Sequence, residues 1–287
     1  MKIRFVIAAF LIILFVPFGF VKAQNISDNI SYITNQNGVR ISMTDYNLLT
    51  NIYSDAYIQT MTNEDYENFK AKKININNLV KSEKYYKTVI DHLNNVVTNT
   101  EVTENEFNNY NIQTLSVSNF VETQYKKLSL TLSDNENGYG DIFVGLLWKM
   151  IPSTRAFDVI AVRYVGMTDI DGTQWGRQIW GTNGNYSYVD YGWNGTNINR
   201  QDNGFGISMN ITNDSTINYL ENYIESAVQF TGNFQWAGAS YQHATSNTTL
   251  AQSKSYTLAE NGKNGVILFT GNIGEKYDNM PGVYCEL

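Results

Sequence analysis

Leu128-Ser-Leu-Thr-Leu132 puts three leucines on one side of an extended chain and two small hydroxyl residues on the other. Side chains alternate sides along a strand, so this stretch predicts a strand with one face buried and one wet. Similar β-branched and aromatic runs recur on both sides of it. They are Lys127 to Leu132 itself, Ile142 to Met150, Phe157 to Val165, Gln174 to Trp180, Phe205 to Ile211, Phe234 to Tyr241, Ser255 to Leu258 and Val266 to Thr270. Turn signals separate them: Asn137-Gly138, Asp171-Gly172, Asn183-Gly184, Asn194-Gly195, Asn203-Gly204 and Asn261-Gly262. Many short strands at this spacing predict a mainly β protein, an antiparallel β-sandwich of jelly-roll-like type over residues 113–287. Ile217 to Phe230 fits a helix through Leu220, Tyr223, Ile224 and Ala227, and fits a long strand equally well.

Toward the N-terminus, residues 24–112 predict a small helical region that opens with a polar leader. Thr44 is placed to cap a helix carrying Tyr46, Leu49, Ile52 and Tyr53. Ser54 restarts it, and Thr62 begins another with Glu64 and Asp65 in its first turn. Thr103-Glu-Asn-Glu106 is a capping-box pattern. Between these, Tyr86, Thr88 and Ile90 alternate while Val89, Leu93 and Val96 keep helical spacing; the alternation favours a strand over Tyr85 to Val97.

Residues 1–23 have the three parts of a secretory signal: Lys2 and Arg4, the apolar run Phe5 to Val16, and the cleavage pattern Val21-Lys-Ala23. The expected product is secreted and extracellular, without a stable membrane anchor. The chain of 287 residues contains 27 acidic against 20 basic residues and a single cysteine. Its negative charge excludes nucleic acid as an expected partner, and one cysteine excludes a disulfide scaffold. So few cysteines in an exported, Asn-, Ile- and Tyr-rich chain suit a Gram-positive bacterium.

Three segments carry a resemblance: Tyr46 to Tyr66, Leu147-Trp-Lys-Met-Ile-Pro-Ser-Thr-Arg-Ala-Phe-Asp-Val-Ile160, and Ser240-Tyr-Gln-His-Ala-Thr245 with Ser253 to Leu258. In these the chain resembles a group of uncharacterised secreted proteins of low-GC Gram-positive bacteria. The resemblance implies a shared architecture and brings no activity and no catalytic residue with it.

The strongest functional signal is the aromatic-rich segment from Trp175 to Phe205. Trp175, Trp180, Tyr188, Tyr191 and Trp193 lie among Gly, Asn and Asp. Flat rings beside amides and carboxylates make a sugar platform, since rings cover C–H faces while polar groups bind hydroxyls. These five residues are the expected site for a glycan or cell-surface ligand, and the expected function is extracellular binding without catalysis. Asp134, Glu136 and Asp141 are the candidate metal ligands, with calcium the ion such an oxygen-rich loop would hold; Asp169-Ile-Asp-Gly172 is a second acidic loop. One alternative is a glycoside hydrolase using two of Asp141, Asp158, Asp190 and Glu225. The other is a membrane-active β-protein, which needs amphipathic strands of about 9–11 residues, longer than the clean alternation shown here. His243 reads as a hydrogen-bonded structural histidine, and neither it nor His92 has zinc-site context. Cys285 is left either as a small buried hydrophobe or as a partner for a second chain.

Overall fold

The computed structural model describes residues 31–110, 120–259 and 265–287, and Tyr32–Leu287 forms one compact unit. The expected signal segment lies outside the described residues. The unit opens with a hairpin, β1 (Tyr32–Thr34) and β2 (Arg40–Ser42), and three helices, α1 (Met43–Ile52), α2 (Asp55–Thr60) and α3 (Asn63–Ala71). Ser54 and Thr62 cap α2 and α3 as the sequence predicts, Thr62 in a reciprocal box with Asp65. The first helix starts earlier than Thr44. Ser42 caps it, because its hydroxyl accepts from the Asp45 backbone N–H and donates to the Asp45 carboxylate.

Next come β3 (Leu79–Asp91), β4 (Val96–Val102) and α4 (Glu104–Asn109), the helix capped by Thr103. The strand reading of Tyr86, Thr88 and Ile90 holds: all three are buried. The chain turns after Asp91, so the stretch is a hairpin and not one element. β3 pairs with the following strand from Leu79 to Asp91. The boundary expected at residues 112–113 therefore separates no structural units.

The remaining strands are β5 (Val121–Asp134), β6 (Tyr139–Trp148), β7 (Phe157–Val165), β8 (Met167–Asp169), β9 (Trp175–Thr182), β10 (Asn185–Tyr191), β11 (Ile198–Gln201), β12 (Gly204–Asn210), β13 (Tyr219–Phe230) and β14 (Trp236–Gln242). A short helix α5 (Leu250–Ser253) precedes β15 (Tyr256–Leu258), β16 (Ile267–Phe269) and β17 (Val283–Glu286). The open question over Ile217 to Phe230 resolves as strand β13, which pairs with β6 on one side and β9 and β8 on the other.

Two antiparallel sheets form the sandwich. The larger has eight strands in the order β10-β9-β13-β6-β5-β3-β4, with β8 beside β13; the smaller has five, β11-β12-β7-β14-β17. Leu128, Leu130, Val144, Leu146 and Ile224 of the large sheet meet Ile160, Val162, Phe205 and Ile207 of the small one. Each such side chain removed from water contributes roughly 1.5–3 kcal/mol.

The other face of β5 is not wet as expected. Thr131 and Ser133 are buried, because the helices cover the large sheet's outer face. There Phe143, Ile179 and Tyr223 form one apolar cluster with Leu49, Tyr53, Tyr57, Ile58 and Phe69. Tyr53 stacks on Tyr57 at 4.2 Å. A third cluster, including Tyr256, Val266 and Tyr277, covers Val159 and Ala161 on the outside of the small sheet. At the open edge of β10 the Gln36 side chain stands in for a neighbouring strand. Its Nε2 donates to the Tyr186 carbonyl (2.7 Å), and its Oε1 accepts from the Tyr186 N–H (3.1 Å), which blunts that edge against further pairing.

Candidate functional site: a cleft between α3 and the large sheet

Strand parity disperses the aromatic segment. Residues 175, 177 and 179 of β9 face the helices, while 176, 178 and 180 face the sandwich interior. Trp175 and Tyr188 accordingly join the helix-side cluster, whereas Trp180 and Tyr191 pack against the inter-sheet core. Burial pushes the Tyr191 hydroxyl up to about 12. Trp193 stays 46% exposed in the following loop, with the Arg200 guanidinium 5.7 Å from its ring. The five residues therefore make no single platform. The alternation of the two strands already carried this split.

What Trp175 and Tyr188 contact is a cation. Arg177, 1% exposed, lies 5.2 Å from the Trp175 ring, 4.2 Å from Tyr188 and 5.4 Å from Tyr57. Its Nη1 reaches Asp65 at 3.1 Å and the Thr60 carbonyl at 3.3 Å, tying β9 to α2 and α3. Burial works against its charge, but Asp190, Tyr57 and Asp65 outweigh that and raise its pKa further.

Beside this clamp lies a cleft of about 640 Å³. Asn68 and Lys72 supply one wall, Asn135 to Asp141 a second, and Ile170 to Trp175 a third, with Glu225 on its floor. A second recess of about 280 Å³ continues it past Trp175 toward Tyr57, Glu64 and Asp190. On the floor, Lys72 Nζ sits 2.5 Å from Asp141 Oδ1 and 3.2 Å from Glu225 Oε1. Asn135 Nδ2 donates to Asp141 Oδ2 at 2.5 Å, and the Tyr53 hydroxyl donates to Glu225 Oε2 at 2.8 Å. Burial opposes the Lys72 charge, yet Glu225 and Asp141 hold its pKa above the usual lysine range. The Tyr53 hydroxyl is pushed up by burial and then by Glu225, which keeps it a donor.

Of the candidate hydrolase carboxylates, Asp141 and Glu225 come together, on neighbouring strands where Asp141 faces Ala227 and Glu225 faces Phe143. Asp190 is bound to Arg177, and Asp158 lies on the far side of the large sheet. There Asp158 accepts from the Ala244 N–H and the Tyr241 hydroxyl, and its oxygens lie 3.0 and 3.1 Å from His243 Nδ1. His243 is fully buried and edge-on to Trp148 at 4.9 Å, a hydrogen-bonded core residue out of reach of any substrate. Lys126 and Asp278, also fully buried, form an ion pair in the same interior.

The candidate calcium ligands do not converge. Asp141 is committed to Lys72 and Asn135, Asp134 accepts from the Glu136 N–H at 2.9 Å, and Glu136 is exposed at φ 69°. Among the described residues, no group of three or more His, Cys, Asp or Glu is placed to hold a metal ion, and no helix is long and apolar enough to cross a membrane. Cys285 is buried, and its thiol is pushed up to about 12 by burial. Glu225 is among the hydrolase carboxylates the sequence offers, whereas Lys72 is not singled out by the sequence. Lys72 follows a helix in the basic run Lys70-Ala-Lys-Lys73, which reads as a solvated surface and gives no signal of burial.

No family model matches the chain, and no curated protein matches it. Among solved structures, the Clostridium perfringens NetB toxin in its membrane-inserted form is similar over 57% of this chain and 84% of its own. The identity is 8% and the TM-score 0.16, well below that of a shared fold.

Proposed function

We propose that this is a secreted, non-enzymatic binding protein whose ligand is a neutral glycan seated in the α3 cleft against Trp175. The observation that carries this reading is the meeting, in one cleft, of a half-buried tryptophan with the amides of Asn68, Asn135 and Asn137, the Thr173 hydroxyl and the Lys72–Asp141–Glu225 cluster. Its volume falls in the range of about 300–1,000 Å³ of small-molecule sites. An aromatic face with amides and carboxylates suits the mixed C–H and hydroxyl surface of a sugar. Six carboxylates line the cleft and its extension, from Glu64, Asp65, Glu136, Asp141, Asp190 and Glu225. Such walls repel anionic polymers.

Asp141 and Glu225 also favour a second reading, a glycosidase. Hydrolysis needs one carboxyl protonated to release the leaving group. All four oxygens of the pair are already taken, by the Lys72 ammonium, the Asn135 amide and the Tyr53 hydroxyl, so neither carboxyl is turned to a leaving group, which supports binding over turnover.

The test is titration of the full secreted chain with neutral oligosaccharides, glucose and N-acetylglucosamine oligomers included, read by tryptophan fluorescence and with a parallel turnover assay. Asn68→Ala is the clean variant, because Asn68 is exposed on α3 and its side chain makes no hydrogen bond among the described residues. Saturable binding weakened several-fold in Asn68→Ala supports the proposal. Binding that is indifferent to that change, or none across the panel, overturns it, and turnover would move the chain to the hydrolases.

A further inference from the structure

One wall of the cleft is the loop from Asp169, the last residue of β8, to Gln174, just before β9. Ile170, Gly172 and Thr173 face the cleft. Two bonds hold the loop to β13 and a third closes the loop on itself. Ile170 N–H donates to the Ala227 carbonyl (3.0 Å), Ala227 N–H donates to Thr173 Oγ1 (3.1 Å), and that hydroxyl donates to the Ile170 carbonyl (2.7 Å). The two residues at the ends of the loop turn inward, behind the wall. Asp169 is registered against Val228 of β13, and its Oδ1 is buried without a hydrogen-bond donor; Gln174 is 1% exposed, and its Oε1 is buried without a donor as well.

A buried acceptor without a donor is destabilising, and more so when it carries charge. A proton on Asp169 removes the charge and turns the carboxyl into a donor. The groups that bear on it are few. The Gln174 amide on the loop, Arg200 on β11 and the Asp169 backbone N–H favour the carboxylate, while Asp171 on the loop disfavours it. Burial exceeds all of these and pushes the carboxyl up to about 6.

We propose that Asp169 is a proton-binding site that fixes the Ile170–Thr173 wall, so that the cleft is held more firmly in mildly acid medium than at neutral pH. The coupling to a ligand rests on the binding role of the cleft; the proton site does not. The direction follows from linkage. The folded chain holds the Asp169 proton up to about pH 6, whereas the unfolded chain releases it near the ordinary aspartate value of 3.8. Within that window the folded state binds more protons, so this contribution is full below the lower value and is lost as pH rises through the upper one.

The experiment uses the full chain, wild type and Asp169→Asn. Hydrogen-exchange protection of the Ile170, Thr173 and Ala227 amides is measured at pH 5.0 and 7.5 and corrected for intrinsic exchange. Wild-type protection should rise about tenfold on acidification, less than the whole shift because Asp169 is part exposed. Asp169→Asn should show the acid-level protection at both pH values. Carbon-detected titration of the Asp169 carboxyl supplies a readout that needs no variant. A midpoint below about 4.5, in the ordinary range, or wild-type protection indifferent to pH, overturns the inference and leaves oligosaccharide binding untouched. A pH-dependent wall in a chain that binds no neutral oligosaccharide supports the proton site and defeats the glycan reading instead.

Discussion

Arg177 and Asp190 stand directly opposite each other on β9 and β10 and meet along two parallel bonds, Nε to Oδ1 at 2.6 Å and Nη2 to Oδ2 at 3.0 Å. The fork-to-fork geometry leaves Nη1 free to cross to Asp65 at the start of α3. One side chain thus ties an edge strand to its neighbour and the helical layer to both. Arg177→Lys keeps the charge but loses the fork. We expect it to cost about 2 kcal/mol, and Arg177→Met about 3–5 kcal/mol because Asp65 loses its buried partner. Urea unfolding checks both; a loss below about 0.5 kcal/mol for Arg177→Met would mean the clamp is not structural.

Lys72 plays the matching part on the cleft floor, where its side chain is 18% exposed and both its partners are nearly buried. Lys72→Met leaves Asp141 and Glu225 side by side with no cation between them. We expect a loss of about 3 kcal/mol at pH 7, shrinking on acidification as the two carboxylates are neutralised. The sign is fixed: without the ammonium the folded state takes up protons more readily than the unfolded chain, so stability of the variant falls as pH rises. Chemical denaturation of both proteins between pH 4.5 and 7.5 reads this directly, and a pH-independent difference would contradict it.

The tryptophans separate by exposure. Trp148 is buried, donates from Nε1 to the Tyr241 hydroxyl at 3.3 Å and lies 5.0 Å from the Lys126 ammonium. Trp148→Ala should cost about 3–5 kcal/mol, whereas Trp193→Ala should stay within about 1 kcal/mol of wild type. Thermal unfolding of the two variants side by side decides it. Equal losses would show that the loop carrying Trp193 is part of the core.

Much of the fold was legible because local chemistry and tertiary packing agree. Ser54, Thr62 and Thr103 cap helices where their sequence positions say they should, and the leucines of β5 all point inward. What the sequence did not disclose was the second layer. Ser129-Leu-Thr131 looks half wet by alternation, but small polar residues also fit under a roof of helices that packs on Phe143, Ile179 and Tyr223 of the neighbouring strands and adds hydrogen bonds and ion pairs to them. Tyr53 to Glu225 and Lys72 to Asp141 span 172 and 69 residues, and no local pattern encodes such a meeting. For the same reason the aromatic segment reads as one feature in the sequence. Its composition is continuous along the chain, while strand parity sends Trp175 and Trp180 to opposite faces of the sheet.

Two glycines with similar backbones isolate what close packing contributes. Gly166, at φ 72°, joins β7 to β8; a Cβ there would lie 1.9 Å from the Phe234 carbonyl oxygen. Gly184, at φ 82°, turns β9 into β10 and has open space around it. Alanine at either position adopts the left-handed region at a cost of about 1–2 kcal/mol. Only Gly166→Ala must also move a backbone, at the point where Thr231 N–H donates to the Gly166 carbonyl at 2.8 Å. We expect Gly184→Ala to lose about 1 kcal/mol and Gly166→Ala at least about 3 kcal/mol. Equilibrium unfolding of the pair measures the difference, and similar losses would show that the β7–β8 corner yields to a methyl group.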